Sequence, residues 1–244
     1  MVEDEDVLKV CRREFKPAIR WAKDLLPVLA YPDALKENFK AYFMYRDVFH
    51  SKSDREEIKN LNLRYDITVI PPNMIGNEFI KTYGHYHPIA EENLSYTEIY
   101  EVLEGEAIYL LQKNEGGSIN DIIAVEASKG DKVIIPPNYG HVTINASNKV
   151  LKMANWVYRG FSSDYKPYEE LKGACYYYTL EGWIENGNYR KIPEMKFVKP
   201  RIPKLLGLKK SEEMYKLIKN PKKLEFLFRP SIYTEMFEEA FEEK

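Results

Sequence analysis

The sequence predicts a mainly β protein, an antiparallel sandwich or small barrel. Two observations carry that expectation. Between residues 61 and 158, short runs rich in Val, Ile, Tyr and Thr recur, bounded by turn residues such as Pro71-Pro72-Asn73, Gly105, Gly116-Gly117-Ser118, Gly130 and Pro136-Pro137-Asn138. No helical stretch separates these runs, as it would in a sheet of parallel strands with crossover helices.

The expected strands are 64–70, 78–87, 97–103, 107–112, 121–126, 132–135, 141–145 and 150–158, with a first strand within 41–49. The flanks read differently. Residues 18–26 place apolar groups at helical spacing before Pro27, and a second helix is expected from Pro32, with Asp33 near its positive end. The polar stretch 51–60 suits a connecting loop or short helix. Residues 175–180 look like a strand, and Asn186-Gly187 suggests a tight hairpin ahead of 189–198. Two further helices are expected near Ser211 and Ser231, each serine a candidate N-cap.

Composition narrows the function. The 244 residues carry 36 Lys+Arg and 38 Asp+Glu, a formal net charge of −2, which speaks against nucleic acid or a membrane surface as partner. Hydrophobic residues are 44%, enough for a sizeable core. Cys11 and Cys175 alone cannot form a disulfide scaffold or a four-cysteine zinc site, and Cys175 reads as a core thiol. The opening Met1-Val2-Glu3-Asp4-Glu5-Asp6 lacks the basic-then-apolar order of a signal peptide, and no apolar run approaches the roughly 20 residues that span a bilayer. The expectation is a soluble, cytoplasmic protein.

Chemistry concentrates on the histidines. The chain has four, His50, His85, His87 and His141, and three fall in the β-rich region. Residues two apart on a strand share a face, so His85 and His87 can reach one ion. His50 has no such context. Glu98 opens the next strand, with six residues between it and Gly105. Then comes Gly130-Asp131-Lys132-Val133-Ile134-Ile135-Pro136-Pro137-Asn138-Tyr139-Gly140-His141-Val142-Thr143-Ile144-Asn145.

These motifs resemble the cupin superfamily, whose first motif supplies His-x-His and a Glu before Gly, and whose second runs Gly-x5-Pro-x-Gly-x2-His-x3-Asn. Asn138 stands where the second motif has Gly, a mild exchange because Asn tolerates positive φ. The resemblance implies a cupin (double-stranded β-helix, or jelly-roll) barrel with flanking N- and C-terminal helices, and a ligand set of His85, His87, Glu98 and His141. Ten residues separate His87 from Glu98, more than cupins usually have, and Glu91 and Glu92 would satisfy the usual count. Glu98 is preferred because its surroundings are strand-like and keep the spacing to Gly105, whereas Glu91 and Glu92 sit in a loop. The implied division is an N-terminal helical segment 1–40, the barrel 41–190 and a C-terminal extension 191–244 with helices packed on the barrel.

The stretch Thr82-Tyr83-Gly84-His85-Tyr86-His87-Pro88, with Glu98-Ile99-Tyr100, Leu110-Leu111-Gln112 and Asp164-Tyr165, is similar to the archaeal cupin-type glucose-6-phosphate isomerases over about residues 40 to 190. That resemblance implies aldose–ketose interconversion of glucose 6-phosphate and fructose 6-phosphate, in glycolysis and gluconeogenesis. It implies one divalent transition metal, Fe2+ favoured over Mn2+, Ni2+ or Zn2+, and a homodimer. Thr68, Thr82 and the backbone of Gly84 would hold the sugar phosphate, and Tyr45, Tyr100 and Tyr165 would line the pocket. Glu98 is the natural base and Tyr100, at the same strand parity, would face the same cavity and donate to a substrate oxygen. A hydride shift would use the same residues. The chain departs from the family at Ser163, where related enzymes carry a histidine. Three alternatives remain: an iron-dependent cupin dioxygenase, since three His and one Glu also suit dioxygen chemistry, a non-catalytic sugar-phosphate-binding cupin, and a related isomerase or epimerase for another sugar phosphate.

Overall fold

The computed structural model describes residues 6–243, so the opening residues 1–5, part of the acidic N-terminus considered above, lie outside the described residues. Two large sheets organise the chain. A six-stranded sheet runs Lys132–Ile135, Glu98–Glu104, Leu151–Tyr158, Leu63–Ile70, Lys40–Tyr45 and Ala18–Trp21. A five-stranded sheet runs Gly140–Ile144, Glu106–Glu115, Ser118–Ser128, Lys196–Pro200 and Phe241–Glu243. After the Ser118–Ser128 strand the chain passes to the first sheet at Lys132–Ile135, to the second at Gly140–Ile144, and back to the first at Leu151–Tyr158. That shuttling is the jelly-roll course expected of a cupin, and the fold is mainly β, although the two sheets do not close into a barrel.

Side-chain alternation assigns each face. On the inner face of the six-stranded sheet Glu98, Val157 and Arg64 form one row across neighbouring strands, Tyr100, Asn155 and Asp66 the next, and Val102, Met153, Thr68 and Met44 a third. Tyr100, Val102 and Met153 pack against Tyr109, Leu111 and Val142 of the opposing sheet in the main core. The outer face carries the intervening residues, Ile99, Trp156, Tyr65 and Ile67. This face is not solvated: Met214, Leu217, Leu224, Phe226 and Leu227 of the C-terminal region cover it as a second core.

Most expected strands form, within a few residues of their expected bounds. The expected 78–87 strand is broken, keeping only Glu78–Phe79 as a paired strand, after which isolated bridges hold Lys81 to Ile144 and His85 to His141. Stretch 51–60 becomes a helix, Lys52–Asn60, capped by Ser51, whose Oγ accepts from the N–H of Asp54 at 3.0 Å.

The flanking helices differ from expectation. Residues 18–26 form the strand Ala18–Trp21 and a tight 3₁₀ turn, Ala22–Val28, containing Pro27. A segment so short cannot sustain an α-helix alone, and the Lys40–Tyr45 edge offers its backbone partners instead. From Pro32 only the 3₁₀ turn Pro32–Ala34 forms. In the C-terminal region Pro221 and Pro230 start new turns, so 3₁₀ segments at Met214–Lys219, Pro221–Leu227 and Pro230–Ile232 precede one short α-helix, Thr234–Glu238. Ser231 caps none of them; its Oγ donates to Glu91 at 2.7 Å. The hairpin expected at Asn186-Gly187 lies earlier, between Tyr176–Thr179 and Gly182–Glu185. Asn186 is instead a buried amide that donates to the carbonyls of Leu171 and Ala174.

A buried ion pair ties the C-terminal region to the sheet. Lys132 Nζ lies 3.2 Å from Glu101 and donates to the carbonyls of Gly130, Lys210 and Glu212, while Glu101 Oε2 accepts from the N–H of Met214 at 2.6 Å. Burial pushes the Glu101 carboxyl above its ordinary range, against the pull of that N–H and of Lys132. Lys132→Met strands this carboxylate, and we expect a loss of about 3–5 kcal/mol of stability, read as a lowered midpoint in urea unfolding. The double replacement Lys132→Met with Glu101→Leu should be less destabilising than the single change.

Candidate metal centre

The site is assembled where the two sheets face each other. Residues 80–86 run antiparallel to Gly140–Ile144: the N–H of Thr82 donates to the carbonyl of Thr143 at 2.8 Å, and His85 and His141 exchange backbone hydrogen bonds at 3.3 and 3.1 Å. Between the Lys81–Ile144 and His85–His141 bridges one strand has an extra residue, a bulge. Gly84 takes the conformation this needs, at φ +87°. A Cβ there would stand 2.6 Å from the Tyr168 ring and 2.7 Å from Val142. By resetting the alternation, the bulge lets Thr82 and His85 both line the cavity between the sheets.

Four donors converge. His85, His87, Glu98 and His141 each offer a ligand atom, all within 4.8 Å of one another. Nε2 of His85 lies 3.2 Å from that of His87, and Glu98 Oε2 lies 3.4 Å from His87 Nε2 and 3.3 Å from His141 Nε2. Donors bonded at 2.0–2.2 Å to one ion stand roughly 3.0–3.4 Å apart, so these spacings already suit a shared cation. His87 Nδ1 donates to the carbonyl of Tyr96 at 3.0 Å, which leaves Nε2 free to ligate. Glu98 Oε1 accepts from Asn155 Nδ2 at 2.6 Å, which aims Oε2 at the imidazoles.

The electrostatics agree. Burial, reinforced by His141 and His87, holds His85 well below the ordinary imidazole range, and burial lowers His141 as well. Burial alone would raise the Glu98 carboxyl, but the contacts with His141 and His87 hold it well below the usual carboxylate range. Neutral imidazoles beside an ionised carboxylate are the state that binds a divalent ion. Glu98 Oε2 is buried without a hydrogen-bond partner, an arrangement that a cation satisfies. The residues therefore fit one divalent transition metal.

The cavity, about 310 Å³, also takes in Thr68, Thr82, Gly84, Tyr100 and Tyr165. The Tyr100 hydroxyl lies 3.1 Å from His141 Nε2, and the Tyr165 ring centre is 5.6 Å from that of His85. Tyr45 is the exception and corrects the sequence expectation. It pairs with Ile67 and belongs to the outer core, its hydroxyl donating to the carbonyl of Asp6. Its odd position on the Lys40–Tyr45 strand turns it away, and Tyr42, Met44 and Arg46 line the cavity instead.

Glu91 and Glu92 stand apart from the cluster. Glu91 lies in a small hairpin, Ile89–Glu91 with Leu94–Ser95, that fills the long interval between His87 and Glu98. Asn138 pins this hairpin: its Oδ1 accepts from the N–H of Ser95 at 2.9 Å, and its own N–H donates to Ser95 Oγ at 2.7 Å. Asn138 has φ +69°, the conformation expected of it. The two departures from the motif meet here, since the Asn138 side chain, absent from a glycine, adds contacts to Ser95 and Asn93 of the inserted loop.

Sequence reading missed Asn155, Arg46 and Arg64. Asn155 had one signal, an amide within the otherwise apolar run 153–157; the arginines had none, because only the register brings them inward. Gly84→Ala should be damaging on both steric and conformational grounds, with about 1–3 kcal/mol of strain. We expect a lower melting temperature and less than half the wild-type metal content by elemental analysis, and wild-type loading would contradict the bulge's role.

Comparison with known proteins is consistent with this arrangement. The chain is 34% identical over 102 residues to a glucose-6-phosphate isomerase of Thermococcus litoralis, covering 42% of this chain and 50% of that one. It is 32% identical over 120 residues to that of Thermococcus onnurineus (strain NA1), covering 49% and 56%. The enzyme of Pyrococcus furiosus is 31% identical over 102 residues, covering 42% and 50%. The chain thus spans about half the length of these curated relatives. A family profile described as glucose-6-phosphate isomerase (GPI) matches residues 19–194, most of the chain, and the protein belongs to that family.

Proposed function

We propose that the protein is a metal-dependent aldose–ketose isomerase that interconverts glucose 6-phosphate and fructose 6-phosphate. The observation that carries this reading is the four-donor cluster, with an orphaned Glu98 oxygen, opening into a cavity lined by Thr68 and Thr82. His85, His87, Glu98 and His141 would hold the ion. When bound, a divalent ion supplies Lewis-acid stabilisation of the negative charge that develops on the substrate during isomerisation.

The chain's own residues divide the remaining work. Thr68 and Thr82 hydroxyls, with the Gly84 backbone, receive the phosphate and fix the sugar's register in the cavity. Glu98 is the base that takes the proton from the hydroxyl-bearing carbon of the C1–C2 pair and returns it to the former carbonyl carbon, while the hydroxyl proton passes between O2 and O1. Asn155 holds one Glu98 oxygen, so the other keeps its direction through the cycle. Tyr100 is strongly biased toward its neutral phenol by burial and by Glu98, so it remains a donor to a substrate oxygen. Tyr165 closes the side of the cavity next to His85, where Ser163 leaves room that a histidine would fill.

The reading extends to a homodimer in the cytoplasm, with residues 41–190 carrying catalysis and 191–244 bracing the sheet behind it. No helix among the described residues is long and apolar enough to cross a membrane. The deciding experiment is a coupled assay on chelator-treated protein reconstituted with Fe2+, Mn2+, Ni2+ or Zn2+ and supplied with fructose 6-phosphate. Turnover should require the ion and vanish in His141→Ala. Glu98→Gln, if it retains metal, should lose about 10²–10⁴-fold in kcat. Metal-independent turnover, or none with any ion, would overturn the proposal.

A further inference from the structure

Isomerase chemistry on a sugar phosphate requires the cavity to accept a dianion, and the threonines bring no charge. Among the described residues that line the cavity, two side chains are permanently cationic, Arg46 and Arg64. Both converge on one carboxylate: Arg46 Nη1 lies 2.6 Å and Arg64 Nε 2.8 Å from Oδ2 of Asp66, whose side chain is fully buried. Asp66 Oδ1 accepts from the N–H of Asp47 at 3.0 Å, so the carboxylate is fixed from both sides. Two guanidinium groups on one carboxylate leave a net positive charge, in forks oriented by a rigid strand.

Arg46 also touches a cross-strand neighbour of Thr68. Its Nη2 lies 3.3 Å from Met44 Sδ, and Met44 stands directly opposite Thr68 in the sheet. A thioether is a weak acceptor, which a phosphate oxygen outcompetes. We infer that Arg46, held by Asp66 and reinforced by Arg64, binds the phosphoryl group of the substrate alongside Thr68. The cavity then selects phosphate monoester dianions by charge as well as by hydroxyl contacts. The inference rests on the isomerase reading for its substrate, but the anion site can be measured without turnover.

The test compares wild type, Arg46→Gln and Arg46→Lys at equal metal loading, each checked for folding by thermal melting. KM and kcat are read with fructose 6-phosphate, and the affinity for inorganic phosphate by calorimetry. Losing a charged hydrogen bond should raise KM for Arg46→Gln by about ten- to a hundredfold, with kcat changed far less. Phosphate affinity should fall in parallel, and Arg46→Lys should recover part of both. The wild-type KM should rise more steeply with salt than that of Arg46→Gln. Unchanged KM and phosphate affinity in a folded Arg46→Gln protein would overturn the inference while leaving the isomerase standing. Absence of wild-type turnover, with phosphate affinity still dependent on Arg46, would overturn the isomerase and leave the anion site. If Arg46→Gln does not fold, Arg46→Lys is read instead, and wild-type KM with undiminished phosphate affinity in it would overturn the role given to the guanidinium.

Discussion

A carboxylate buried among three imidazoles constrains the whole site. Glu98 has been taken out of water, one of its oxygens has no hydrogen-bond donor, and histidine nitrogens are its neighbours, with burial lowering the pKa of His85 and His141. Such a group is expensive to leave uncompensated. A divalent cation would resolve the conflict: it would neutralise the carboxylate and take the imidazoles as ligands. Asn155 on Glu98 and the Tyr96 carbonyl on His87 aim two of the donors before any ion arrives.

The remainder of the fold keeps those donors where they are. His85 and His141 are backbone partners on one sheet, and Glu98 belongs to the other, so the cluster survives only while the two sheets hold their separation. The C-terminal region contributes to that separation from behind. Thr97, next to Glu98, donates its hydroxyl to the carbonyl of Phe226 and its N–H to that of Leu227. The outer core and the Lys132–Glu101 pair spread the same support along the strand. A segment with no donor in the cluster therefore acts as a brace for the strand that carries one.

Much of this was legible in the sequence because it is local. Short Val-, Ile- and Tyr-rich runs between turn residues marked the strands, and the resemblance of the His-x-His and Gly130 to Asn145 motifs to the cupins implied the ligands. Glu98 was preferred over Glu91 and Glu92 for its strand character, yet Glu91 too lies in a short strand, Ile89–Glu91; what separates them is that Glu98 stands with the histidines. What failed depended on partners far away in sequence. Tyr45 and Tyr42 differ only in parity, and the strand's register decided which of them faces inward. Helical spacing at residues 18–26 lost to an available sheet edge, and prolines reduced the expected C-terminal helices to single turns. Arg46 and Arg64 carry no local signal, and only the fold brings them together on Asp66.

The central claim is that His85, His87, Glu98 and His141 share one divalent ion. X-ray absorption of the Mn2+- or Fe2+-loaded protein measures this directly. The account predicts one ion per chain, with light-atom ligands whose outer-shell scattering requires about three imidazoles. Binding below one equivalent, or a spectrum without imidazole scattering, would contradict it.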